Sequence, residues 1–399
     1  MANEYTLTRF LYPLDEVELS FIQCLLNKAN LQECYFWIFE IHFSGFDVFP
    51  FLWKVYLDFY KELNPSALED YIIKKNEEFL KANDDVDIII KSIASIVRNL
   101  FKAVPSPNTF FLRQYFAIYK DNNKDDDEMM MLLVDNINLL TINNDHTLLL
   151  NAIDKSDFEK ICYYLHHSSS SIIDIISLLS PFSSNKKIVY SNPLHYLLAL
   201  CVVSCTSNAN NATANKTIFV VPTEADLKMI RDTNEMLIPP SKYGLPQIYN
   251  TLKIKRLFGI SDQIGGFNLK RYSLFDNYID FLTEIWNHWE YYAMRSPLWL
   301  SRLPKECSID HMKREIVFHS ADADAADDAD DAADEIKEQF YELYGYELDE
   351  QSKEVMDMSH KELLSSSSLL EIIKSWFANA SNNRNLSYLI ADENISFNY

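Results

Sequence analysis

Glycine occurs only six times in 399 residues, against a usual share of about 7%. Sheets, barrels and phosphate-binding loops use glycine wherever the backbone needs a positive φ, whereas helices avoid it for the entropy it loses on ordering. The chain is therefore expected to be mainly α, built as irregular multi-helix bundle domains with at most a few short strands in the second domain. Apolar residues make up 48% of the sequence, enough to build a core, which excludes a disordered chain.

The hydrophobic pattern agrees. Val17, Leu19, Phe21, Ile22, Leu25 and Leu26, then Leu31, Cys34, Trp37, Ile38 and Ile41, recur at helical spacing. Four segments have capping-box spacing, in which a hydroxyl and a carboxylate each satisfy an end-turn amide: Ser66 to Glu69, Ser156 to Glu159, Thr223 to Asp226 and Ser359 to Glu362. Asn192-Pro193 offers an N-cap with proline at the first helical position. Ser44-Gly45 supplies a turn between two helices, with Gly45 at the position just past a helix end. The best strand candidate is Thr217 to Pro222. No self-similarity at the 34- or 40-residue helical periods appears, which argues against a regular solenoid.

Length suggests two or three units. A change of character near residue 185 divides an N-terminal helical domain (1–184) from a second, mainly helical one (185–319). Residues 320–335 form an acidic low-complexity linker of Ala-Asp repeats, too poor in apolar groups to offset its ordering entropy. A C-terminal helical tail (336–399) follows. The longest apolar stretch, Pro193 to Cys205, has 13 residues, short of the roughly 20 that cross a bilayer. It reads as a buried helix, and no membrane span is expected.

A formal charge of -22 disfavours indiscriminate binding to phosphate backbones. The six cysteines contain no Cys-x-x-Cys pair and no signal-peptide pattern opens the chain, so a reducing compartment is the natural reading. His195, Cys201 and Cys205 lie near one another in sequence, but a fourth ligand is missing and buried cysteine is usually a small hydrophobe. Neither a metal nor a cofactor is expected, and no motif specifies a reaction.

Three segments are candidates for binding. Four of the glycines, among them Gly265 and Gly266, fall within 23 residues beside Lys253, Lys255, Arg256, Lys270 and Arg271. Glycines let amides converge on an anion, and the five cations make a basic island in an acidic chain. Such an island would take an anion or a nucleic acid, or dock an acidic protein partner; the alternative is an ordinary structural loop. Aromatics crowd two other places. Ten large rings stand in the 24 residues from Trp37 to Tyr60, and Trp286, Trp289 and Tyr292 are spaced by three. The rings of 37–60 exceed what one small bundle hides, which points to protein interfaces, with Trp37, Trp53, Trp286 and Trp299 as candidate anchors; for the helix of Trp286 and Trp289 the plain reading is a core helix.

Glu33-Cys-Tyr-Phe-Trp-Ile-Phe-Glu-Ile-His-Phe-Ser-Gly-Phe46, then Trp53-Lys-Val-Tyr-Leu-Asp-Phe-Tyr60 with Asn64-Pro65, and later Tyr292-Ala-Met-Arg-Ser-Pro-Leu-Trp299, resemble a pattern in an uncharacterised protein family of nucleocytoplasmic large DNA viruses. The resemblance spans about residues 10–305. It implies a viral context, in the virion or the host cytoplasm, and no catalytic residues. The expectation is a non-enzymatic structural or assembly protein whose partners are other viral proteins. The alternative is a nucleic-acid-associated factor in replication or transcription, working through the basic segment 244–271.

Overall fold

A computed structural model of the chain describes residues 5–28, 30–64, 67–83, 85–122, 145–168, 171–179, 192–209, 219–235, 284, 287–319 and 333–341. It is mainly helical, with one two-stranded antiparallel sheet among the described residues. The helices are α1 (Leu14–Asn27), α2 (Leu31–Phe43), α3 (Phe49–Phe59), α4 (Ala67–Leu80), α5 (Val86–Lys102), α6 (Asn108–Asn122), α7 (Asp145–Asp154), α8 (Phe158–His167), α9 (Ile172–Leu179), α10 (Pro193–Ala209), α11 (Glu224–Glu235), α12 (Trp289–Ala293) and α13 (Pro297–Arg302). Residues 333–341 are helical as well. β1 (Cys307–Asp310) and β2 (Glu315–Phe318) form a hairpin in which Cys307 faces Phe318.

Two compact units interleave along the chain. The first comprises Met1–Val48, Pro222–Glu362 and Asn398–Tyr399, the second Phe49–Val221 and Leu363–Phe397. The boundary expected near residue 185 lies outside the described residues, as do most of the acidic tract and the tail beyond 341.

In the first unit α1 and α2 pair as a hairpin, and α11 packs on α2. Lys28 caps α1 in the left-handed region and Asn30 starts α2 by accepting the Gln32 amide. Gly45 follows α2 with φ +92°, and a Cβ there would sit 2.7 Å from Cβ of Pro297. Both the backbone angle and the close approach require glycine. Ser44 O accepts the Leu298 amide at 3.1 Å at the same junction, so the blocks 33–46 and 292–299 meet directly.

In the second unit α4 pairs with α5, and α10 touches α3, α6, α7 and α9. Asp85 caps α5 through the amides of Asp87 and Ile88. Ile90, Ile93, Val97 and Leu100 then form its buried stripe. Asn192 Oδ1 accepts the His195 amide at 3.2 Å, the expected cap of α10. Most of Pro193 to Cys205 is buried.

Some local expectations change. Thr223 and Asp226 cap α11 reciprocally, as the spacing suggests, but α8 is capped by Asp157 rather than Ser156, whose φ is +52°. Residues 219–222 are not a strand. Val220 instead gives its amide to Asn99 Oδ1 at 3.0 Å and takes Asn99 Nδ2 at 2.9 Å, so a side-chain amide replaces the neighbouring strand. The block from Tyr292 to Trp299 is not one continuous helix: it breaks at Ser296, which caps a new helix with Pro297 at its start.

Candidate functional site

Each unit holds a buried ionic cluster, and these are the most site-like constellations in the described chain. In the second unit the centre is Asp58, near the end of α3. Its Oδ1 meets Nε2 of His195 at 2.6 Å and Nε of Arg113 at 3.0 Å, while Oδ2 accepts from Arg113 Nη2 at 2.8 Å. Asp58 and His195 are fully buried and Arg113 is partly exposed. α3, α6 and α10 thus converge on one carboxylate. Burial alone would raise the Asp58 carboxyl, but the facing charges of Arg113 and His195 prevail and hold it well below the usual carboxylate range.

A second cluster in the same unit shares α3 and α10 with the first and adds α4. Glu69 of α4 accepts from Lys61 and, at 3.0 Å, from the Tyr196 hydroxyl. Tyr56 donates to Asn64 O at 3.0 Å. The Lys61 ammonium lies 4.5 Å from the Tyr196 ring centroid, a cation–π contact that partly replaces water. Burial lowers the Lys61 pKa against the pull of Glu69, and burial together with Glu69 pushes the Tyr56 hydroxyl well up.

In the first unit an N-terminal strap is stitched onto α2. Arg9 Nε meets Glu40 Oε2 at 2.6 Å, the Phe10 amide reaches Glu40 Oε1 at 3.0 Å, and the Arg9 amide reaches Ser44 Oγ at 2.7 Å. Neither side chain of the ion pair is exposed. Arg9 Nη1 and Nη2 find no hydrogen-bond partner among the described residues. The guanidinium lies between rings instead, 4.4 Å from the centroid of Phe10 and 4.7 Å from that of Phe43. Trp299 Nε1 donates to Thr8 O at 3.0 Å, which ties α13 to the same strap.

Beside Arg9, burial and then the guanidinium charge push His42 down to about 4. The sign follows from linkage. Between the ordinary value of 6.5 and about 4, the unfolded chain takes up a proton that the folded chain excludes. Stability therefore falls as pH is lowered through that window, by about 3 kcal/mol for this one group. Urea unfolding of the first unit across that range should show the loss, and a His42→Asn variant should flatten it. An unchanged slope in the variant would refute the assignment.

Three of the four tryptophans expected as interface anchors are interior groups of the described chain. Trp37 and Trp299 are 0% and 1% exposed and Trp53 is 6% exposed. Trp37 packs edge-on against Phe36 and Tyr12, and Trp299 against Trp289. Their rings fill the core of their own unit because short helices leave many gaps that only large side chains close. Trp286 and the whole basic segment, with Lys253, Lys255, Arg256, Lys270, Arg271, Gly265 and Gly266, lie outside the described residues.

His195 is committed to Asp58 through Nε2, so the imagined grouping with Cys201 and Cys205 gives way to a carboxylate pair. An Asp–His pair is the orienting half of a nucleophilic triad, but five of the described thiols are tuned away from attack. Burial pushes Cys34, Cys162 and Cys201 well up, and Cys205 and Cys307 to about 11, the reverse of an activated nucleophile. What the clusters do is join helices. Comparison with protein-family models, with curated proteins and with solved structures finds no match to this chain.

Proposed function

We propose that the chain is a non-enzymatic structural or assembly protein of a nucleocytoplasmic large DNA virus, acting by stoichiometric packing against other viral proteins. The observation that carries the reading is where the resembling blocks fall. Glu40 in the first is the buried acid that holds the N-terminal strap on α2, Asp58 in the second is the one on which α3, α6 and α10 converge, and Trp299 in the third is bonded to the strap beside Arg9. The residues that bear the resemblance are thus occupied with architecture, which is where a packing protein would concentrate its constraints.

With Trp37, Trp53 and Trp299 interior, partner contact falls to other surface. Leu80, Val86 and Ile88, at the α4–α5 corner, are 69%, 51% and 43% exposed, and apolar groups displayed together are candidates for burial against a neighbour. Quantitative mass spectrometry of purified particles, set beside infected cells, is expected to find the protein enriched at a high, fixed copy number. A Leu80→Glu/Val86→Glu/Ile88→Glu chain, with unchanged melting, is expected to lose incorporation. Absence of the parent chain from particles would overturn the reading.

A further inference from the structure

Among the buried side chains that the three ionic clusters do not use, Cys24 and Cys34 form a pair. Cys24 lies in the last turn of α1 and Cys34 in the first turn of α2. The chain reverses between them through Lys28 in the left-handed conformation and Asn30 as the next cap. The sulfurs are 2.9 Å apart, with the Cys34 thiol donating to Cys24 and the Cys24 thiol donating to Asn30 O at 3.1 Å. A disulfide bond measures about 2.0 Å, so closure needs a further approach of only about 1 Å. Both residues belong to one helical hairpin within one unit, and no rearrangement of elements is required.

We propose that Cys24 and Cys34 are an oxidative modification site, closed to an intramolecular disulfide by a small peroxide. Cys24 is the entry sulfur, because it keeps 6% of its surface exposed while Cys34 keeps none. Cys24 loses its proton and its sulfur attacks one peroxide oxygen. The O–O bond breaks, and the departing hydroxide takes that proton as water, leaving a sulfenic acid. The Cys34 sulfur then attacks the Cys24 sulfur, the S–O bond breaks, and the second hydroxide leaves as water with the Cys34 proton. Two thiols are oxidised, one peroxide is reduced, and two waters form. Because the resolving thiol already touches the attacking one, the second step outruns further oxidation at Cys24.

The product staples α1 to α2, the hairpin that carries Glu40 and Trp37. The pair is a dithiol in a reducing compartment and a disulfide in an oxidising one. For a particle component that leaves the cell, the staple would set after assembly; that consequence alone rests on the function proposed above.

The test uses the full-length reduced chain treated with hydrogen peroxide, then denatured, alkylated and mapped by mass. The expected product has lost about 2 Da, carries no alkyl group on Cys24 or Cys34, and yields one peptide pair joined through them. Cys162, Cys201, Cys205 and Cys307 remain alkylatable. Oxidised protein should melt roughly 5–10 °C higher, reversibly with dithiothreitol. In a Cys24→Ser chain, Cys34 should stay alkylatable throughout. Three outcomes overturn the proposal: no mass loss, sulfinic acid on Cys24 with Cys34 still alkylatable, or joined peptides that involve any other cysteine. Since the decisive mapping is done on the parent chain, poor folding of the variant would not blunt it.

Discussion

Asp58→Ala is expected to destabilise the second unit by roughly 3–5 kcal/mol, the loss typical of removing one partner from a buried charge cluster. The reason is what remains behind. Arg113 and His195 both point at Asp58, and His195 is too deeply buried to turn to water. Asp58→Asn keeps the volume and one acceptor but not the charge, so it should cost most of the same amount. The reciprocal change, Arg113→Ala, should cost less, because Arg113 already has access to solvent and Asp58 keeps His195. Urea unfolding, read through hydrogen exchange of α3, α6 and α10 amides, measures all three. The pH dependence gives a second check. The carboxyl of Asp58 is depressed in the folded state, so its contribution is complete above the unfolded value of about 4 and disappears as pH falls through the lower folded value. Asp58→Ala should lose that acid limb. A cost under about 1 kcal/mol with the limb intact would show that the cluster is not what joins these helices.

The helical class, the caps at Asn192 and Thr223 and the turn at Gly45 were legible because each follows from nearby residues. The ionic clusters were not, and the reason is distance along the chain. Asp58 finds Arg113 and His195 across 55 and 137 positions, and no local pattern links them. A weaker signal was present. Asp58 shares a helix face with Phe51 and Val55, and Glu40 shares one with Phe36 and Trp37. A lone acid on an apolar face is expensive unless a cation meets it, so each acid announces a buried partner without naming it. The aromatic surplus leaves core and interface undistinguished for a related reason. Ring counts measure how much apolar area a segment carries, and only packing decides whether its own unit or another protein covers that area. Here Trp37, Trp53 and Trp299 are covered from within. Thr217 to Pro222 had the composition of a strand, yet Asn99 satisfies the Val220 backbone before any strand can. The hairpin at 307–318 escaped notice because neither strand exceeds four residues and both are largely polar or half-exposed.

Glu40→Ala should be as damaging to the first unit as Asp58→Ala is to the second, at roughly 3–5 kcal/mol. It strands the Arg9 guanidinium, which has no surface exposure and only rings on its faces, and it removes the acceptor of the Phe10 amide. The strap that also carries the Thr8 carbonyl for Trp299 would then be held by fewer bonds. Burial already lowers the Arg9 pKa against the pull of Glu40, the direction expected where desolvation nearly matches the pair's attraction. A double change therefore separates two meanings of the cluster. Arg9→Met/Glu40→Leu removes both charges and keeps apolar volume, and such swaps are often neutral or stabilising. If the pair serves only to join α2 to the strap, the double variant should recover most of the stability lost in Glu40→Ala, with coupling of about 2–3 kcal/mol in the cycle. It should also enter particles at the parent copy number. Recovered stability without incorporation would mean that the charges are needed for something beyond folding, and the architectural reading of this cluster would have to be abandoned.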